Sequence, residues 1–121
     1  MTGVGKTNPR AVRAPHGAMV MEIEWSDGAT TRLDHWILRG FCPCAVCQGH
    51  EGPIRYVEPG ENAESALQLR DVRRVGNYAL GLGWGDGHSS GIYTFRYLRL
   101  LGSLADRPRD EVVQYQPSRG S

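Results

Sequence analysis

The stretch Met19-Val20-Met21-Glu22-Ile23-Glu24-Trp25-Ser26-Asp27-Gly28 decides the fold class. Apolar and acidic residues alternate along it up to Trp25, the period of a strand with one face in a core and one in water. Ser26-Asp27-Gly28 follows, and Asp-Gly between two strand-like runs is among the stronger short-range signals for a hairpin. Residues 29–33 read as the return strand. Asp34 is placed to cap a short helix over residues 35–39, which Gly40 and Pro43 bring to an end.

The same order of signals occurs again downstream. Asn77-Tyr78-Ala79-Leu80-Gly81-Leu82-Gly83-Trp84 reads as a strand, Asp86-Gly87 as its turn, residues 90–93 as the return and residues 95–101 as a helix. Trp25-x-Asp27-Gly28 with Leu38-Arg39 thus matches Trp84-x-Asp86-Gly87 with Leu98-Arg99, the second copy being one residue longer between aspartate and arginine. Residues 68–75 supply a further strand, paired with the run from Asn77. Residues 51–66 are polar and read as a loop with at most one helical turn. These signals predict an α+β fold: a small antiparallel sheet built from two repeated strand–turn–strand–helix units.

Residues 1–18 lack periodicity and read as a disordered tail, residues 19–102 as the folded domain, and residues 103–121 as a mostly flexible C-terminal tail. The full chain of 121 residues suits one domain with a modest core, and its 40% hydrophobic and 22% charged content is that of a soluble globular protein. A formal net charge of +1 gives no electrostatic reason to expect nucleic acid or membrane as a partner. No segment has the apolar core of a signal peptide or the length of a membrane span, so a cytoplasmic location is expected.

Cys42-Pro43-Cys44-Ala45-Val46-Cys47 carries the chemistry. Three cysteines make a poor disulfide framework, whereas clustered thiolates are soft ligands for zinc, and a structural zinc site needs four thiolate or imidazole ligands in a tetrahedron. With no fourth cysteine, the fourth ligand must come from elsewhere, and histidine is the natural candidate. His16 lies in the tail and His35 on the first helix. His50 would close a compact C-x-C-x-x-C-x-x-H loop at little entropic cost, while His88 leads out of the second Asp-Gly turn and would join the two units. Spacing alone favours His50 and keeps His88 open.

Taken together, Trp25-x-Asp27-Gly28, Leu38-Arg39, Cys42-x-Cys44-x-x-Cys47 and Trp84-x-Asp86-Gly87-His88 resemble the gamma-butyrobetaine hydroxylase-like N-terminal domain, over roughly residues 19–101. That family occurs as a stand-alone domain of unknown function, at the front of carnitine-pathway dioxygenases, and on some iron–sulfur carrier ATPases. The resemblance implies a structural zinc held by Cys42, Cys44, Cys47 and His88. It also implies that dioxygenase chemistry belongs to a separate domain of the longer relatives; this chain has no His-x-Asp or His-x-Glu pair for iron.

Other signals carry less. Cys44-x-x-Cys47 lacks the strand-to-helix setting of a redox dithiol. The glycines of residues 81–85 precede a strand and a turn, where a phosphate loop requires a helix. The aromatic residues track the repeat and read as core, and Arg39 and Arg99 read as solvated or dipole-pairing helix ends. The expected function is therefore that of a non-catalytic, zinc-stabilised accessory or protein-interaction domain, with another protein as partner. The alternative is an accessory of iron–sulfur cluster assembly or carriage, which would need a further ligand beyond three cysteines.

Overall fold

A computed structural model describes residues 8–15, 17–44, 48, 53–58, 63–89 and 91–117. Two three-stranded antiparallel sheets form the frame. The first runs β1 (Pro9–Arg13), β2 (Val20–Trp25) and β3 (Thr30–Asp34) and leads into helix α1 (His35–Gly40). After a one-turn helix α2 (Ala63–Ala66), the second runs β4 (Leu69–Val75), β5 (Ala79–Trp84) and β6 (Gly91–Thr94) and leads into α3 (Phe95–Gly102). A short α4 (Arg109–Val112) follows.

The expected repeat is present and longer than expected: each unit is strand–strand–strand–helix with its own sheet. Equivalent backbone bonds recur. Trp25 N–H donates to Ala29 O and Gly28 N–H to Trp25 O, and the same two bonds join Trp84 to His88 and Gly87 to Trp84. Gly28 and Gly87 have φ of 90° and 92°, a left-handed conformation that side chains disfavour. His35 N–H donates to Met19 O just as Phe95 N–H donates to Tyr78 O.

This symmetry explains two departures from expectation. The tail expected over residues 1–18 contains β1, which pairs with β2 from Pro9↔Trp25 to Arg13↔Glu22 and corresponds to β4 in the second unit. Its alternation is hidden because a bulge between Pro9 and Ala11 interrupts it. Residues 103–117 are likewise docked. Leu104 and Val112 are buried, Ile54 N–H donates to Pro117 O, and Arg109 lies 4.5 Å above the Trp36 ring while pairing with Glu58 at 3.0 Å.

Alternation in β2 places Met21, Ile23 and Trp25 in the core, as the sequence predicts. In β5 every residue is buried. Two of its outward positions are Gly81 and Gly83, over which the side chains of Arg73 and Asp71 from β4 lie. The helices lock the units together. Phe95 of α3 packs edge-on against Trp25 of the first unit at 5.9 Å, and its counterpart His35 packs edge-on against Trp84 of the second at 5.5 Å. At the helix starts, Thr94 Oγ1 accepts from Tyr97 N–H at 3.0 Å, whereas Asp34 holds the cap position of α1 without a side-chain cap bond.

His35 is only 2% exposed. Its Nδ1 lies 2.8 Å from Leu67 O, so Nδ1 carries the proton, and Nε2 has no partner among the described residues. Burial, opposed by the Leu67 carbonyl and by Asp34, holds its imidazole below the usual range. A depressed histidine pKa means that the unfolded chain binds the proton more readily. The resulting stability is complete above the unfolded value of about 6.5 and is lost as the pH falls from there toward the folded value. His35→Phe, which copies Phe95, is therefore expected to lose less thermal midpoint than wild type between about pH 7.5 and about pH 5.5. Parallel curves for the two proteins would contradict this.

Candidate metal centre

The loop after α1 carries the thiols, and its start is fixed by the second unit. The Tyr93 hydroxyl of β6 donates to Leu38 O, and the Tyr97 hydroxyl of α3 donates to Phe41 O at 2.6 Å. Carbonyls at a helix C-terminus lack intrahelical partners, and these two tyrosines satisfy them. Burial first, and then the Cys42 thiol nearby, push the Tyr97 hydroxyl far above its ordinary value, so it stays a neutral donor. Cys42 follows directly and is buried, and Cys44 is half-buried. Gln48 N–H donates to Cys44 O, and its side-chain amide donates to Cys42 O at 3.1 Å and to Arg55 O at 2.8 Å.

From the other unit, the turn after β5 delivers His88. Its Nε2 lies 3.3 Å from Cys42 Sγ and 3.4 Å from Cys44 Sγ. In a tetrahedral zinc site with a Zn–S bond of about 2.3 Å and a Zn–N bond of about 2.0 Å, sulfur and nitrogen sit about 3.5 Å apart. The three atoms thus fit one ion, and Cys42, Cys44 and His88 form a group that could hold a metal. Burial, with help from Arg39 and against Asp86, keeps the His88 imidazole below its usual range, favouring the neutral form that a ligand requires. Cys47 and His50 lie outside the described residues.

Gly91 makes room for this group. A Cβ there would lie 2.8 Å from Cys42 Sγ and 2.9 Å from Tyr93 Cε1. The corresponding residue of the first unit is Thr31, whose Oγ1 accepts from Trp25 Nε1 at 2.7 Å. Without that hydroxyl, the buried Trp84 Nε1 has no partner among the described residues. One unit keeps the indole hydrogen bond, and the other gives it up beside the thiols.

Arg39 and Arg99 do not point freely to solvent, contrary to the sequence reading. Each pairs with the turn aspartate of the opposite unit: Arg39 with Asp86 at 3.0 Å and Arg99 with Asp27 at 2.9 Å. Arg39 also donates to Ala66 O, and Asp86 Oδ1 accepts from His88 N–H at 3.1 Å. Arg39 thereby holds the turn that presents His88, and its hydrogen bond keeps the Asp86 carboxyl below the usual range. The two pairs differ in exposure, at 13% and 19% for Arg39 and Asp86 against 36% and 45% for Arg99 and Asp27. Arg39→Ala strands a sheltered charge and should cost about 1–3 kcal/mol with a loss of metal affinity. Arg99→Ala should shift the thermal midpoint much less. Equal shifts in paired melting curves would refute the distinction.

The recurrence of Trp-x-Asp-Gly and Leu-Arg in both units was the one signal that could have exposed these cross-pairs. Crossed partners follow if the two units face each other about a pseudo-twofold axis.

Comparison with curated proteins gave no match. Among solved structures, the chain is 35% identical to a protein of unknown function of the DUF971 family from Acidithiobacillus ferrooxidans, with a TM-score of 0.60 over 79% of this chain and 93% of that one. A structure determined by NMR in solution is 27% identical, with a TM-score of 0.65 over 89% of this chain and 82% of that one. A second NMR structure, 24% identical with a TM-score of 0.65 over 87% and 76% of the two chains, shares the fold. The family described as gamma-butyrobetaine hydroxylase-like, N-terminal matches residues 12–99, which takes in the bulk of both units and the end of β1, and the chain belongs to that family.

Proposed function

We propose that this chain is a non-catalytic protein-interaction module in which Cys42, Cys44, Cys47 and His88 hold one structural zinc ion between the two repeat units. The supporting observation is the approach of the Cys42 and Cys44 thiols, which follow α1, to His88 of the opposite unit. Three thiolates and one imidazole fill a tetrahedral zinc site and leave no open position for water or substrate, which suits a structural role. Thiols kept for metal suit a reducing compartment such as the cytoplasm. Among the described residues no helix is long and apolar enough to cross a membrane.

Elemental analysis of protein purified without added metal is the direct test. About one zinc per chain is expected, with none in Cys44→Ser. The protein should be colourless and indifferent to dithionite, because zinc has a filled d shell. A brown, stoichiometric iron–sulfur cluster that survives equimolar zinc would overturn the reading in favour of cluster carriage.

A further inference from the structure

Among the described residues β1 and β4 are both edge strands, each bonded to a single neighbour in its sheet, and together they border a groove of about 510 Å³. The groove is lined by Val12, Val72 and Leu80, all part of the core or packed against it. Both strands carry a bulge at the corresponding place, between Pro9 and Ala11 and between Leu69 and Asp71. The extra residue is an arginine each time. Arg10 and Arg70 both line the groove, together with Arg74 and one carboxylate, Asp71. Bulges re-aim side chains and recur where a strand edge has a task.

These guanidinium groups are weakly engaged. Arg10 comes no closer than 3.9 Å to Glu24, Arg70 bonds the Gln68 amide oxygen at 3.3 Å, and Arg74 donates from Nε to Gly76 O at 3.3 Å with its guanidinium 5.5 Å over the Phe95 ring. Neither Arg70 nor Arg74 has a carboxylate partner among the described residues.

We propose that this groove binds an extended peptide of a partner protein in which acidic and apolar side chains alternate. The inference rests on the reading of the chain as an interaction module and gives that module a surface and a partner chemistry. Successive side chains of an extended strand point to opposite sides, so one set can cover the apolar lining while the other meets the arginines. Arginine forks match carboxylates in two-pronged bonds, and exposed strand edges accept an added strand through backbone hydrogen bonds. Among the described residues no aromatic side chain lines the groove to stack a base, which disfavours single-stranded nucleic acid. A small inorganic anion would leave the apolar lining uncovered.

The test uses the full zinc-loaded chain and a fluorescein-labelled peptide of alternating valine and glutamate, about nine residues long to match a strand. Fluorescence anisotropy should show saturable one-to-one binding. Affinity should fall at least about tenfold for a valine–lysine peptide, for a serine–glutamate peptide, and for the Arg10→Gln/Arg70→Gln variant with an unchanged melting curve. Amide shifts on binding should centre on Val12 and Val72. Absence of binding would overturn the proposal. So would equal binding of the serine–glutamate peptide, indifference to the double substitution, displacement by a short single-stranded oligonucleotide at lower concentration, or self-association through this face. Zinc is measured in the same sample. A zinc-loaded protein that ignores the peptide refutes the groove alone, and a folded, metal-free protein that binds it refutes the zinc reading alone.

Discussion

Chelation of the metal from the purified protein is expected to abolish most of its folded structure. Cys42 and Cys44 follow α1 in the first unit, and His88 lies at a turn of the second. An ion bound by all three closes a loop across the interface. Binding of zinc in small structural sites is worth about 10–16 kcal/mol, as large as the whole stability of an ordinary domain of this size. Much of the net stability of a chain with this modest core then resides in the metal. Circular dichroism should show loss of native signal on adding a strong chelator and its recovery on adding zinc. Cys42→Ser should behave like chelated wild type, because a neutral hydroxyl is a poor substitute for a thiolate ligand to zinc. His88→Ala should weaken zinc binding at least about 100-fold and lower the thermal midpoint, while His50→Ala should change little. A metal-free wild type with a native spectrum and an unchanged midpoint would show that the ion is not structural.

Gly91→Thr should weaken both the fold and metal binding although it alters none of the proposed ligands. The backbone at Gly91 does not have positive φ, so glycine is not required there for conformation. Space is the requirement, since a Cβ would sit 2.8 Å from Cys42 Sγ. Threonine copies Thr31 and so offers the buried Trp84 Nε1 an acceptor, worth about 1 kcal/mol if the hydroxyl could be seated. Against that gain stand overpacking of about 1–3 kcal/mol and displacement of a metal ligand. The net expectation is loss of zinc affinity by at least about tenfold and a lower thermal midpoint, with Gly91→Ala in the same direction but milder. Isothermal titration with zinc and melting curves of the three proteins decide it. A threonine variant that binds zinc as wild type does and melts higher would mean that the glycine serves neither space nor metal.

Several features were already written in the sequence. The alternation from Met19 to Trp25 fixed β2 and its buried face, because side chains on a strand have a period of two and every signal lies between neighbours in the chain. Asp27-Gly28 and Asp86-Gly87 fixed both turns, because positive φ is cheap only for glycine. The cysteine spacing marked the loop whose thiols could hold a metal. Tertiary structure decided which distant groups meet. It brought His88 to Cys42 and Cys44, crossed Arg39 with Asp86 and Arg99 with Asp27, and ordered Pro9–Arg13 and residues 103–117 against a core that their own patterns did not announce. The pairing of Thr31 with Trp25 and its replacement by Gly91 beside Cys42 depend on the packing of two units that separately carry almost the same local code. Local code sets the backbone of each unit, whereas the imidazole that meets the thiols and the partner of each salt bridge are chosen by how the two units face each other, which no local period records.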